Sequence, residues 1–194
     1  MYELKYELIN NIIKHKKYKY YLELGLGPNV ETYSVVECEN KYSVDILKIN
    51  DQLPSFLGST DDFFLQNKVK YDLIYIDADH SYDAVNKDFL NAVKCLNEDG
   101  IICMHDVGPL RECDTIPTAA GEAYKSFIDI RKNIIYDAFC YEFSNTDILG
   151  LVKIRKNTDL LNVGQDCIVD FNYYDKNRET ILRKKHLNDL IRYI

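Results

Sequence analysis

Apolar positions recur along the chain with two different periods, and the switches between them mark out its segments. Residues 2–17 set Leu4, Leu8, Ile12 and Ile13 among charges at helical spacing, which predicts a leading helix with one buried stripe. Tyr20 to Leu24 reads as a strand cut off by the loop Gly25-Leu26-Gly27-Pro28-Asn29, and Lys41 to Asp45 as a second short strand ending in an acid. Between them lies a short segment, Val30 to Val36, and the stretch from Asn29 to Asn40 is brief for a full crossover helix. Leu53 to Leu57 is a third short strand or a helix, Pro54 leaving both open. Gly58-Ser59-Thr60-Asp61-Asp62 breaks the chain, and Phe63-Phe64-Leu65 continues as a brief helix with Thr60 as N-cap.

The run Leu73 to Ile76 is what a strand buried on both faces of a parallel sheet looks like, and it delivers Asp77, Asp79 and His80 at its C-terminal edge. In open α/β sheets that edge is where ligands bind. Val85, Phe89, Ala92, Val93 and Leu96 follow at spacings of three and four, so 82–97 reads as an amphipathic helix capped by Ser81 or Asp79, with Gly100 past its end. Ile101 to Met104 is another apolar strand, terminating in His105-Asp106. A loop with Gly108, Pro109 and Pro117 leads to a helix at about 118–132. Two strand-like runs, Ile134 to Phe143 and Ile148 to Ile154, flank the hairpin-type connection Ser144-Asn145-Thr146-Asp147. The tail from 155 is polar, then helical from about Asn177. The alternation predicts a parallel α/β sheet with an antiparallel closing hairpin.

Length and composition narrow the reading. At 194 residues the chain is long enough to bury roughly 70 % of its unfolded surface without metal or disulfide staples. Six scattered cysteines without a C-x-x-C pair, and no signal-like or membrane-length apolar segment, read as a reduced, cytoplasmic protein that meets no membrane. A net charge of -7 disfavours a nucleic-acid partner, whose proteins carry a clustered positive face. A small molecule or sugar fits better.

Candidate chemistry sits at four strand ends. Gly25 and Gly27 follow Glu23-Leu24, where glycines let backbone approach a ligand closely, although a two-glycine loop is equally a plain turn. Asp45 lies about twenty residues on, where a nucleotide-binding sheet places an acid for ribose hydroxyls.

Taken in order, these segments resemble class I S-adenosylmethionine-dependent methyltransferases, in the branch that O-methylates small molecules and glycans. Tyr21-Leu22-Glu23-Leu24-Gly25 is similar to that family's first motif, Val44-Asp45 to its second and Ser59 to Phe64 to its third. Asp72 to Tyr82 is similar to its fourth, and Gly100 to Asp106 to the strand after it. The resemblance covers about residues 18–154, leaving 1–17 as an N-terminal helix packed on that domain and 155–194 as a C-terminal extension with a terminal helix. It implies a Rossmann-like methyltransferase fold: a mostly parallel twisted sheet with helices on both faces and the last strand inserted antiparallel. It also implies S-adenosylmethionine as cofactor, with Glu23, Gly25 and Gly27 bordering the methionine moiety, Asp45 the ribose, Thr60 and Asp61 the adenine edge, and Asp77 beside them.

Methyl transfer to a hydroxyl needs a positioned pair and a base that removes a proton. His80, third after Asp77, stands where catechol- and sugar-type relatives place a Lys or His base; otherwise it is a helix-start histidine contacting backbone. Asp77 and Asp106 suit Mg²⁺, with His105 as a third ligand, a second base or a buried histidine bonded to a loop. Three features depart from the family pattern: the first loop lacks a third glycine, the Asn29 to Asn40 segment is short for a full crossover helix, and His105-Asp106 stands where metal users carry a D-D or D-N pair. The competing classes are a non-catalytic ligand-binding module on the same fold and a nicotinamide-dependent oxidoreductase.

Overall fold

The computed structural model describes residues 2, 4–28, 30–48, 54–143, 147–164 and 169–194, the side chains of 187, 188 and 191 apart. Seven strands, β1 (Tyr20–Leu24), β2 (Asn40–Asp45), β3 (Phe56–Leu57), β4 (Tyr71–Ile76), β5 (Leu96–Met104), β6 (Tyr136–Glu142) and β7 (Ile148–Ile154), form one sheet in the order β3-β2-β1-β4-β5-β7-β6. Every pairing is parallel except those of β7, which runs antiparallel to β5 and β6. The helices are α1 (Lys5–Lys16), α2 (Glu31–Val35), α3 (Thr60–Gln66), α4 (Tyr82–Cys95), α5 (Ala123–Arg131), α6 (Phe171–Leu182) and α7 (Leu187–Tyr193). This is the Rossmann-like methyltransferase topology, and the antiparallel β7 departs from the continued parallel units of a nicotinamide dehydrogenase.

Successive strand residues point to opposite faces, and that period of two sorts the core into layers. Leu22, Leu24, Ile74, Ile76, Ile102 and Met104 pack with Val85 and Phe89 of α4, Phe127 of α5 and Ile181 of α6. Tyr21, Leu73, Tyr75, Ile101 and Cys103 face the other way, onto Leu8, Ile9, Ile12 and Ile13 of α1 and Leu190 of α7. Ile9 and Ile12 are fully buried, each burial contributing about 1.5–3 kcal/mol, so α1 is fixed on the sheet by its apolar stripe.

Several boundaries move. α3 begins at Thr60 and its N-cap is Ser59, whose Oγ accepts the Asp62 N–H at 3.1 Å; Thr60 is the first helical residue. α4 stops at Cys95 and β5 starts at once, so Gly100 lies inside the strand, where a Cβ would come within 2.9 Å of the Asp72 carbonyl oxygen. α5 starts at Ala123, because residues 117–122 form turns against His80. α6 starts at Phe171, where Asp170 accepts the Tyr173 N–H at 2.8 Å. That helix is held by Arg131, buried in the core and donating to the carbonyls of Asp159 (2.6 Å) and Ile181 (3.2 Å), a long-range anchor that the polar tail does not advertise. Leu53 and residues 144–146 of the hairpin connection fall outside the described residues, as does Cys167; the other five cysteines are free thiols. Among the described residues no helix is long and apolar enough to cross a membrane.

Candidate active site

The parallel register sets the residues that follow β1, β2, β4 and β5 in one row. Leu24 pairs with Val44 on one side and with Ile76 on the other, and Ile76 pairs with Met104. The ladder continues one step further: Gly25 N–H donates to Val44, Asp77 N–H to Leu24 and His105 N–H to Ile76, at 2.8–3.0 Å. Gly25, Asp45, Asp77 and His105 therefore stand side by side at the C-terminal edge. They open into a cavity of about 1130 Å³ that Glu23, Gly27, Thr60, His80 and Asp106 also line.

The β1/β2 side is built on backbone. Gly25 has φ +82°, and a Cβ there would strike the carbonyl of Asp77, so only glycine lets the first loop cross over β4. Asp45 closes the loop, accepting the N–H of Leu26 at 2.9 Å through one oxygen and that of Leu47 at 2.8 Å through the other. Each carboxylate oxygen can accept a further hydrogen bond, and Asp45 lines the cavity. Glu23 is buried with its Oε2 accepting from Tyr21 Oη at 2.5 Å, and burial pushes its carboxyl up to about 8 despite that bond. Thr60 lines the same end with Ser59. Asp61 does not: its carboxylate turns outward to Lys87 Nζ at 2.5 Å, because the first turn of α3 points it away from the sheet edge. The adenine-edge expectation thus holds a place for Thr60 in the cavity wall and none for Asp61.

The β4/β5 side gathers charge. His80 Nε2 lies 3.5 Å from Asp77 Oδ1 and 3.4 Å from Asp106 Oδ2; His105 Nδ1 reaches the same two oxygens at 3.3 and 3.1 Å. His105 Nδ1 is buried and has no partner at full hydrogen-bond geometry, only these ion contacts. Its Nε2 faces Asp147 Oδ2 at 3.3 Å. Burial alone would raise the Asp77 carboxyl, but the charge of His105, contacts from both histidines and Lys5 hold it well below the carboxylate range. Burial opposes charge on His105 as well, and the carboxylates of Asp77, Asp106 and Asp147 outweigh it, keeping its pKa well above the ordinary histidine value. His80 is raised by its contact with Asp77, against burial.

A turn holds His80 in place. Its Nδ1 meets the carbonyl of Ala119, its own carbonyl accepts the Glu122 N–H at 2.7 Å, and a Cβ on Gly121 (φ +56°) would come within 2.6 Å of the His80 Cβ. The backbone contact and the approach to the carboxylates, alternatives in sequence, are therefore both present. Asp77, His80 and Asp106 each offer one ligand atom, all within 4.8 Å of one another. His105 touches the same two acids from the side and is outside that trio. Asp106 adopts φ +58°, a conformation that non-glycine residues rarely take, and that turn carries its carboxylate toward His80.

Four side chains of the site escaped the sequence reading. Lys5 of α1 brings Nζ to 3.3 Å from His105 Nε2 and 3.5 Å from Asp77 Oδ2. Tyr75 Oη donates to Asp77 Oδ2 at 2.8 Å, Tyr21 holds Glu23, and Asp147 meets His105. The tyrosines had a signal: Tyr21-x-Glu23 and Tyr75-x-Asp77 are the same spacing of two, which sets both members of each pair on one face of a strand.

Comparison with other proteins bears on the fold. Residues 25–107 match the family described as a methyltransferase domain. No curated protein matches the chain. Among solved structures, an O-methyltransferase of Bacillus cereus in complex with SAH is similar at 14 % identity and TM-score 0.56, over 76 % of this chain and 80 % of that one. The O-methyltransferase TomG of Streptomyces achromogenes, involved in tomaymycin synthesis and solved with SAM, is similar at 12 % identity and TM-score 0.58, over 78 % and 79 %. SAH-bound methyltransferase PaMTH1 of Podospora anserina gives 13 % and 0.58, over 78 % of each chain. Strand order, glycine loop and matched segment agree: the chain has the fold of these methyltransferases, and its residues 25–107 are similar to the methyltransferase domain family.

Proposed function

We propose that the protein transfers the methyl group of S-adenosylmethionine to a hydroxyl of a small, uncharged, polyhydroxylated acceptor of sugar type. The observation that carries this reading is the single row of Gly25, Asp45, Asp77 and His105 opening, with His80, into one cavity. SAM or SAH bound to the three similar structures supports the donor. The donor, when bound, supplies a methyl group on a positively charged sulfur that is already a good leaving group.

The chain's own residues bind, orient and deprotonate. Gly25 admits the ligand close to the backbone, Asp45 faces the ribose hydroxyls, and Thr60 borders the base. His80, fixed by Ala119 with Nε2 toward the carboxylates, is the general base, and Asp77 and Asp106 stabilise the imidazolium it becomes. For the acceptor, the wall offers carboxylates and carbonyls that bond hydroxyls. Among the described residues no Phe or Tyr lines the cavity to stack on a flat ring, and Lys5 is the only Lys or Arg there to meet an anionic group.

The trio Asp77, His80 and Asp106 also fits a divalent cation, since Ala119 engages Nδ1 and leaves Nε2 as the ligand atom. Carboxylates suit Mg²⁺, and the imidazole shifts the preference toward Mn²⁺ or Zn²⁺. Such an ion would lower the pKa of a bound hydroxyl, and His80 would then be ligand instead of base.

Titration calorimetry with SAH, followed by label transfer from methyl-labelled S-adenosylmethionine to a panel of sugars and catechols, tests the reading. Binding with transfer to a sugar supports it; no binding of SAH removes it, and binding without turnover across the panel points to a ligand-binding module. Turnover that survives a chelator assigns His80 as base, whereas loss restored by Mn²⁺ or Mg²⁺ assigns it as ligand.

A further inference from the structure

We propose that Lys5, on the helix that precedes the matched segment, binds the carboxylate of the donor's amino-acid end and so makes α1 part of the cofactor site. The inference rests on the donor reading above.

Lys5 occupies an unusual place. It begins the stripe Lys5, Leu8, Ile9 and Ile12, spaced as i, i+3, i+4 and i+7, whose other members are buried against the sheet. The stripe's last position over the sheet edge is therefore a cation. A positive charge in the first turn of a helix opposes the macrodipole, so local helix energetics do not favour lysine there. Its Nζ lies over the Tyr75 ring, 5.8 Å from the centroid, and lines the cavity beside Asp77.

The cavity's charge makes this ammonium decisive. Among the described residues Lys5 is the one Lys or Arg on a wall rich in carboxylates, and the other strongly cationic group, His105, is already faced by Asp77, Asp106 and Asp147. An α-amino acid is a zwitterion, and its complement is a cation next to an anion. Lys5 Nζ and Asp77 Oδ2, 3.5 Å apart and both partly exposed to the cavity, form that complement on the β4/β5 side of the row. An ammonium has three donors, and Lys5 has one acceptor nearby, Asp77 at a long 3.5 Å, while the charged ring of His105, 3.3 Å away, offers none. Because buried isoleucines fix α1, little side-chain freedom is lost when the carboxylate arrives.

The test compares SAH with 5′-methylthioadenosine, which keeps the nucleoside and the thioether sulfur and lacks the amino-acid end. Calorimetry on the full chain should show Lys5→Met weakening SAH about 10- to 100-fold, the range of a charge-assisted hydrogen bond, with 5′-methylthioadenosine unchanged within about twofold. Lys5→Arg should recover most of the SAH affinity. Unchanged SAH binding in Lys5→Met, or an equal loss for both ligands, overturns the proposal. Failure of the wild type to bind either ligand removes the donor reading, and this inference with it.

Discussion

The two sides of the sheet edge treat their acids differently. On the β1/β2 side, Asp45 is satisfied by two backbone N–H groups at 2.8 and 2.9 Å and Glu23 by a tyrosine at 2.5 Å, so this half is assembled before a ligand arrives. On the β4/β5 side, Asp77, His80, His105 and Asp106 confront each other at 3.1–3.5 Å, and a buried ring nitrogen lacks a hydrogen bond of good geometry. A pre-satisfied pocket binds with little reorganisation, whereas charges held together without full pairing are available to a proton, a hydroxyl or a cation. On the proposed reading the β1/β2 side holds the donor's nucleoside, and the β4/β5 side carries the proton transfer as well as the donor's amino-acid end.

Mutations should separate the two. His80→Ala should lower methyl transfer by about 10²- to 10⁴-fold, the range of a lost general base, while SAH affinity stays within a few-fold in calorimetry. An equal fall in binding and turnover would erase the division. Gly25→Ala forces a side chain against the Asp77 backbone at positive φ, and a loss of about 3 kcal/mol in denaturant unfolding is expected, with SAH binding lost as well. Asp45→Ala frees the Leu26 and Leu47 N–H groups and should weaken SAH about tenfold with kcat little changed.

Glu23 gives a pH signature. Its folded pKa of about 8 lies above the ordinary carboxyl value of 4.5, so the native state holds a proton that the unfolded chain has released. Stability from this group is full below about pH 4.5 and is lost as pH rises through 8. Asp88, buried in α4 and raised by burial to about 6, adds loss in the same direction at lower pH. Thermal melting across pH 5 to 9 should fall with pH, and Glu23→Gln should flatten the upper part of that slope. The smallest effect belongs to Asp61→Ala, which removes only an exposed pair with Lys87 and should shift stability by less than about 0.5 kcal/mol and SAH affinity not at all. A clear loss of SAH binding there would restore Asp61 to the adenine edge.

Most of the β1/β2 side was legible because its signals are local. Tyr20–Leu24 followed by glycines, and an acid twenty residues on, describe a strand, a crossing and a second strand end, whose row is fixed by parallel pairing alone. The paired spacing of Tyr21 with Glu23 and Tyr75 with Asp77 was equally present and becomes informative once both strands are known to face α1. Asp61 misled because position along a motif does not say which way the first turn of a helix points.

What the sequence by itself determined is the order of strands and helices, the apolar stripe of α1 and the residues at each strand end, because periodicity and turn chemistry act over a few neighbours. Only the tertiary structure decided that Lys5, Asp147 and the 117–122 turn join them, and that His80 makes a trio with Asp77 and Asp106 while His105 stands aside. The contacts of Lys5, Asp147 and the 117–122 turn span 39 to 100 residues of sequence, and sequence periodicity carries no signal over such distances. They exist because the layers fix where each face lies, and electrostatics then acts among whatever groups that packing has brought together.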